Sequence, residues 1–141
     1  MNSVATSVPT TFGAPIAPSS KPLLPSGLQR ACIAAKIASE NKGDKVAVFD
    51  LRDVTTEFDY FVLATGASRR QVHTIVEEVD AGLRQTGDVR MGINGYEASK
   101  WVVQDYGDVM VHVFDADTRD YYRLEEFWAD AKPVDWQNEI E

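Results

Sequence analysis

The stretch "SKWVVQDYGDVMVHVF", residues 99–114, decides how the chain folds. It reads as two extended runs that meet at Tyr106-Gly107-Asp108, because β-branched and aromatic residues dominate both sides of a glycine placed where the chain must reverse. Strand parity puts Trp101, Val103 and Asp105 on one face of the first run and Val102, Gln104 and Tyr106 on the other. A tryptophan sharing its face with a carboxylate is awkward in a dry core and comfortable at the rim of a binding surface, where tryptophan and tyrosine are enriched. Residue chemistry alone leaves Trp101 open between core packing and partner contact. In the second run His112 shares its face with Met110 and Phe114, the company of a hydrogen-bonded structural histidine.

Upstream, "KVAVFDL" (45–51) and "FDYFVLAT" (58–65) read as two more strands, the second apolar on consecutive positions from Tyr60 to Ala64 and therefore central and covered on both faces. A first helix starts after Ser26, with Leu28, Ala31, Cys32, Ala35 and Ala38 at helical spacing and Gly43 as its stop. A second helix is capped by Ser68, with Gln71 completing a capping box. Val72, Ile75, Val76, Val79 and Leu83 form its apolar stripe and Gly87 ends it. "MGINGYEAS" (91–99) reads as loop. "DTRDYYRLEEFWADA" (117–131) closes the domain as a helix with Tyr121, Leu124, Phe127 and Trp128 on one side and Asp117 or Asp120 as its cap. The order αββαββα predicts an α/β (α+β) fold, a single mixed β-sheet flanked by helices.

A chain of 141 residues, 44% hydrophobic, supports one domain with its own core. Residues 1–25 hold five of the six prolines, many Ser and Thr, and Lys21 as the lone charge, the composition of a disordered tail. The expected division is this tail, a domain over 26–132, and an acidic C-terminal tail over 133–141. The tail has neither a secretory signal's apolar stretch nor a presequence's arginines, so a cytoplasmic protein is expected, with a plastid or mitochondrion as the alternative if the tail is a transit segment. No apolar run approaches the roughly 20 residues of a membrane-spanning helix. Cys32 is the single cysteine, set among small apolar residues, and is expected to be buried and inert.

The formal charge of −8 is local: residues 105–141 hold 11 acidic and 3 basic side chains, while the preceding 104 are balanced. Such a field repels phosphate backbones and favours a basic protein partner over nucleic acid. Among candidate sites, "TGASRR" (65–70) offers a helix start with Arg69 and Arg70, but one glycine is no phosphate-binding loop, and ordinary capping explains it. "FDADT" places Asp115 and Asp117 at a strand end, as some magnesium-dependent nucleotidyltransferases do. The Gly-Ser turn those enzymes need is missing nearby, which makes turn and cap roles the better explanation. His73, on the polar flank of the second helix, reads as surface. No serine or second cysteine stands beside His112 as a nucleophile, so catalytic, metal and cofactor sites are all expected to be absent.

The blocks "DYFVLATGASRRQV", "KWVVQDYGDVMVHVF" and "RDYYRLEEFW" resemble those of the ribosomal silencing factor family, also called Iojap-like proteins. The resemblance runs from the first helix to Trp128. It implies a nucleotidyltransferase-like fold without the catalytic acids, and a non-enzymatic regulator that binds the large ribosomal subunit through ribosomal protein fourteen. Such a protein sterically blocks subunit joining and so represses translation. It further implies that Trp101, Asp105 and Tyr106 contribute to the ribosomal-protein contact. Where the family usually has Gly-x-Glu-Gly before the tryptophan, this chain has Gly92-Ile93-Asn94-Gly95, and Glu97 is the nearest replacement for the missing charge. The alternative functions are a magnesium-dependent nucleotidyltransferase-like enzyme using Asp115 and Asp117, and a plain homodimer built on the Trp101 surface.

Overall fold

The computed structural model describes residues 24–122 and 130–139. In chain order they form α1 (Gly27–Glu40), β1 (Asp44–Asp50), β2 (Tyr60–Gly66), α2 (Arg69–Gln85), β3 (Gly92–Asn94), β4 (Trp101–Asp105), β5 (Val109–Asp115), α3 (Ala116–Tyr122), β6 (Lys132–Val134) and α4 (Trp136–Glu139). The strands make one six-stranded mixed sheet in the order β3-β4-β5-β2-β1-β6. Only β2 and β5 run parallel, joined by the crossover that contains α2; every other neighbouring pair is antiparallel. The expected single mixed sheet flanked by helices is the architecture observed.

Local chemistry explains where the elements begin and end. Ser26 accepts a hydrogen bond from the Gln29 backbone N–H, and the Gln29 side chain accepts one from the Ser26 N–H, a full capping box at the start of α1. At α2 the capping box expected of Ser68 and Gln71 is only half present. Ser68 Oγ accepts from the Gln71 N–H, but Gln71 Oε1 turns to the N–H of Ala67 instead. Gly87, at φ 99°, ends α2 as expected. The β4–β5 turn relies on Gly107 at φ 89°, whose N–H is held by Asp105 Oδ1 at 2.8 Å.

The sheet has two unlike faces. On one, the alanines of α1 and the stripe of α2 cover Val48, Tyr60, Val62, Ala64, Val102, Val111 and Val113, forming the main core. On the other, Leu51, Phe61 and Ala131 are buried with Phe49, Val54, Phe58 and Met110 packed around them. Strand β2 is buried along its whole length, which fits its central place between β5 and β1.

Three expectations are corrected. The stretch 91–99 is not all loop, because Gly92–Asn94 pairs with β4 as an edge strand. The segment after residue 132 is not a separate tail over its described part: Val48 pairs with Val134 and Trp136 packs against the main core. The closing helix is capped neither by Asp117 nor by Asp120. Asp115 Oδ1 accepts from the Thr118 N–H, so α3 begins directly at the end of β5. Leu124, Phe127 and Trp128 lie outside the described residues.

Candidate functional site

Strand β4 shows the alternation that its sequence predicts. Trp101, Val103 and Asp105 are partly exposed, while Val102, Gln104 and Tyr106 are buried. Register carries this parity across the sheet: Trp101 stands opposite Phe114, Val103 opposite His112 and Asp105 opposite Met110. Trp101 and Asp105 therefore lie on the face turned away from α1 and α2, together with Phe114, His112 and Met110.

Among the described residues two contacts hold the Trp101 indole. Its ring stacks on Phe114 with centroids 5.2 Å apart, and its Nε1–H donates to His112 Nδ1 at 3.0 Å. Because an indole N–H can only donate, His112 Nδ1 carries a lone pair and the imidazole proton sits on Nε2. Among the described residues that buried Nε2 has no hydrogen-bond partner, a defect that costs about 1–3 kcal/mol. Burial, aided by the nearby Arg119 cation, pushes the His112 pKa down to about 3, so the ring stays neutral. Arg119 itself is buried, donates to Thr65 Oγ1 and lies over the Phe114 ring.

Asp105 uses Oδ1 to close the turn, and the Met91 N–H donates to its carbonyl oxygen. Tyr106, which the resemblance implies as a contact residue, is 2% exposed and lies on the opposite face of the strand from Trp101. Its hydroxyl donates to Asp80 Oδ1 of α2 at 2.8 Å, and burial followed by this bond raises the phenol well above its usual range. Arg84 and Arg90 also reach Asp80, and Arg90 donates to Gln104 Oε1. Tyr106 thus braces β4 from beneath and does not share the surface of Trp101 and Asp105.

The approach to Trp101 is pinned to α2. His73 stacks on Tyr96 with centroids 4.0 Å apart, and its Nε2 contacts Ser99 Oγ and the Tyr96 carbonyl. Tyr96 hydrogen-bonds Glu77, and Arg69 donates to the Glu97 carbonyl oxygen. His73 is therefore a half-buried tether and not the surface residue its position suggested, and Arg69 is engaged with a loop. Asn94 and Glu97 are exposed on this same approach.

The alternative acidic site does not assemble as expected. Asp115 caps α3, and Asp117 belongs to the first turn of that helix, so the two do not share a strand face. Among the described residues no group of three or more His, Cys, Asp and Glu side chains is placed to hold a metal. Cys32 is buried, and burial raises its thiol pKa to about 11, as expected for an inert packing residue.

Comparison with known proteins adds a decisive observation: residues 25–141 match the family model "Ribosomal silencing factor during starvation". The chain belongs to the ribosomal silencing factor family. It is 33% identical over 108 residues to the ribosomal silencing factor RsfS of Halalkalibacterium halodurans, covering 77% of this chain and 92% of that one. It is 36% identical over 101 residues to RsfS of Chromobacterium violaceum, covering 72% and 83%. Protein Iojap, chloroplastic, of Zea mays is 33% identical over 102 residues, covering 72% of this chain and 44% of that one. A crystal structure of a Chromobacterium violaceum protein superposes with a TM-score of 0.72 at 32% identity, over 74% of this chain and 88% of that one. One from Bacillus halodurans gives 0.64 at 32% identity, over 73% and 93%. In this member of the family, Trp101, Val103 and Asp105 are the β4 residues that the fold leaves partly exposed on the face opposite the two long helices.

Proposed function

We propose that this protein is a ribosome-associated silencer of translation, binding the large subunit through ribosomal protein fourteen and blocking subunit joining by occupying the intersubunit face. The observation that carries this reading is Trp101 and Asp105 on the same partly exposed face of one strand, an aromatic anchor and a carboxylate at its two ends with Val103 between them. An indole supplies large contact area at low rotamer entropy, and a carboxylate pairs with the lysines and arginines of a basic protein. The acidic excess over 105–141 steers approach toward such a partner and away from bare RNA. A steric block needs occupancy and bulk and no reaction, which suits a site without an assembled set of acids. Tyr106 contributes by fixing the strand from below. We assign this chain to the cytoplasm, a reading supported by its bacterial relatives, with an organelle as the alternative, since plant relatives are named chloroplastic and mitochondrial.

The test is sedimentation with separated ribosomal subunits, followed by a subunit-joining assay. The wild-type protein should pellet with large subunits alone and slow joining in proportion to its occupancy. Sedimentation of the free protein separates the homodimer alternative, which predicts self-association that persists whether or not large subunits are added.

A further inference from the structure

We infer that His112 is a positioning residue for the proposed contact: its Nδ1 accepts the Trp101 indole N–H and, with the Phe114 stack, holds the half-buried ring in one orientation for the ribosomal partner. The inference rests on Trp101 being a contact residue. The bond spans the strands diagonally, since Trp101 faces Phe114 directly and His112 pairs with Val103. Stacking on Phe114 fixes the ring plane, and a directional bond at Nε1 restricts rotation of the ring within it before binding, so less freedom is lost on association.

The imidazole is otherwise a poor choice for this position. It packs between Phe61, at 4.5 Å and 62°, and Phe114, at 6.2 Å, where a phenylalanine would fill the same space without burying an orphaned N–H. Among the described residues the Trp101 indole is the one hydrogen-bond partner of the His112 ring. A neutral acceptor at Nδ1 is therefore what histidine adds here, and burial beside Arg119 keeps it neutral across the physiological range.

The experiment uses the full chain and purified large subunits with His112→Phe, His112→Asn, Trp101→Phe and the double variant. His112→Phe keeps an aromatic ring and removes the acceptor, whereas Asn can place its carbonyl oxygen near the Nδ1 position. His112→Phe should shift the Trp101 indole resonance upfield in a proton–nitrogen correlation spectrum and weaken binding about fivefold to tenfold. His112→Asn should restore most of both. In the Trp101→Phe background, His112→Phe should cause no further loss. An unmoved indole resonance, wild-type binding by His112→Phe, or an equal loss in the Trp101→Phe background would overturn the positioning role. A folded Trp101→Phe protein that binds undiminished would instead remove the contact reading, and the inference with it. Independently of any variant, nitrogen shifts of wild-type His112 should place the ring proton on Nε2, and a proton on Nδ1 contradicts the bond outright.

Discussion

At the scale of single residues, the indole of Trp101 and the phenol of Tyr106 illustrate how neighbours in sequence separate into different roles. Trp101→Ala is expected to leave unfolding cooperative and to weaken large-subunit binding by about 2 kcal/mol or more, read by pelleting titration beside a thermal melt. Tyr106→Phe removes the donor to buried Asp80 and should lower stability by about 1–3 kcal/mol, while binding per folded molecule changes little. His112 sets a pH dependence whose sign follows from its depressed pKa. The unfolded chain takes up a proton near pH 6.5 and the folded one only near pH 3, so stability falls as pH drops through that window. Each pH unit there costs up to about 1.4 kcal/mol, and a folded His112→Phe protein should lack this increment when denaturant midpoints of the two are compared.

Among the elements, the turn that delivers the chain into β4 is the most constrained. Gly95 sits at φ 82°, and a Cβ there would run into the carbonyl oxygen of Trp101. Gly95→Ala should therefore cost about 1–3 kcal/mol in denaturant unfolding and disturb the Trp101 indole resonance, which a substitution at exposed Asn94 should leave in place. The long elements were legible in the sequence because their patterns are long: α2 repeats its apolar stripe over several turns, and β2 is an unbroken apolar run. Strands β3 and β6 have three residues each, too few for alternation to register, and β6 accommodates Pro133 because it lies at the sheet edge. Parity alone told which residues of β4 share a face, while residue chemistry left open whether the face of Trp101 is buried or exposed. The Trp101–His112 bond could not be read from the sequence, since it depends on the register between two strands, and neither could the burial of Asp80, an acid on a helix whose partner Tyr106 lies 26 residues away.

For the whole molecule, one ion network ties the helical face to the end of the sheet that carries the candidate site. Arg30 of α1 donates to Asp88 at 2.7 Å and to Asp108 at 2.6 Å, joining the first helix to the segment after α2 and to the β4–β5 turn. Part of the acidic excess is thus committed to the fold, Asp108 in this network and Asp115 at the cap of α3. Arg30→Met should cost about 3–5 kcal/mol in denaturant unfolding, because it takes the cation from a fully buried carboxylate and loosens the turn that orients Asp105. The acidic side chains that remain solvated are available to steer a basic partner, and a long-range attraction of that kind weakens as salt is added. The most direct measurement of the proposed role is co-sedimentation of the labelled protein with separated ribosomal subunits, for the wild type and for Asp105→Lys at low and high salt. Binding to the large subunit alone, reduced by Asp105→Lys most strongly at low salt, is the predicted result; wild-type protein that stays in the supernatant, or pellets equally with the small subunit, would contradict it.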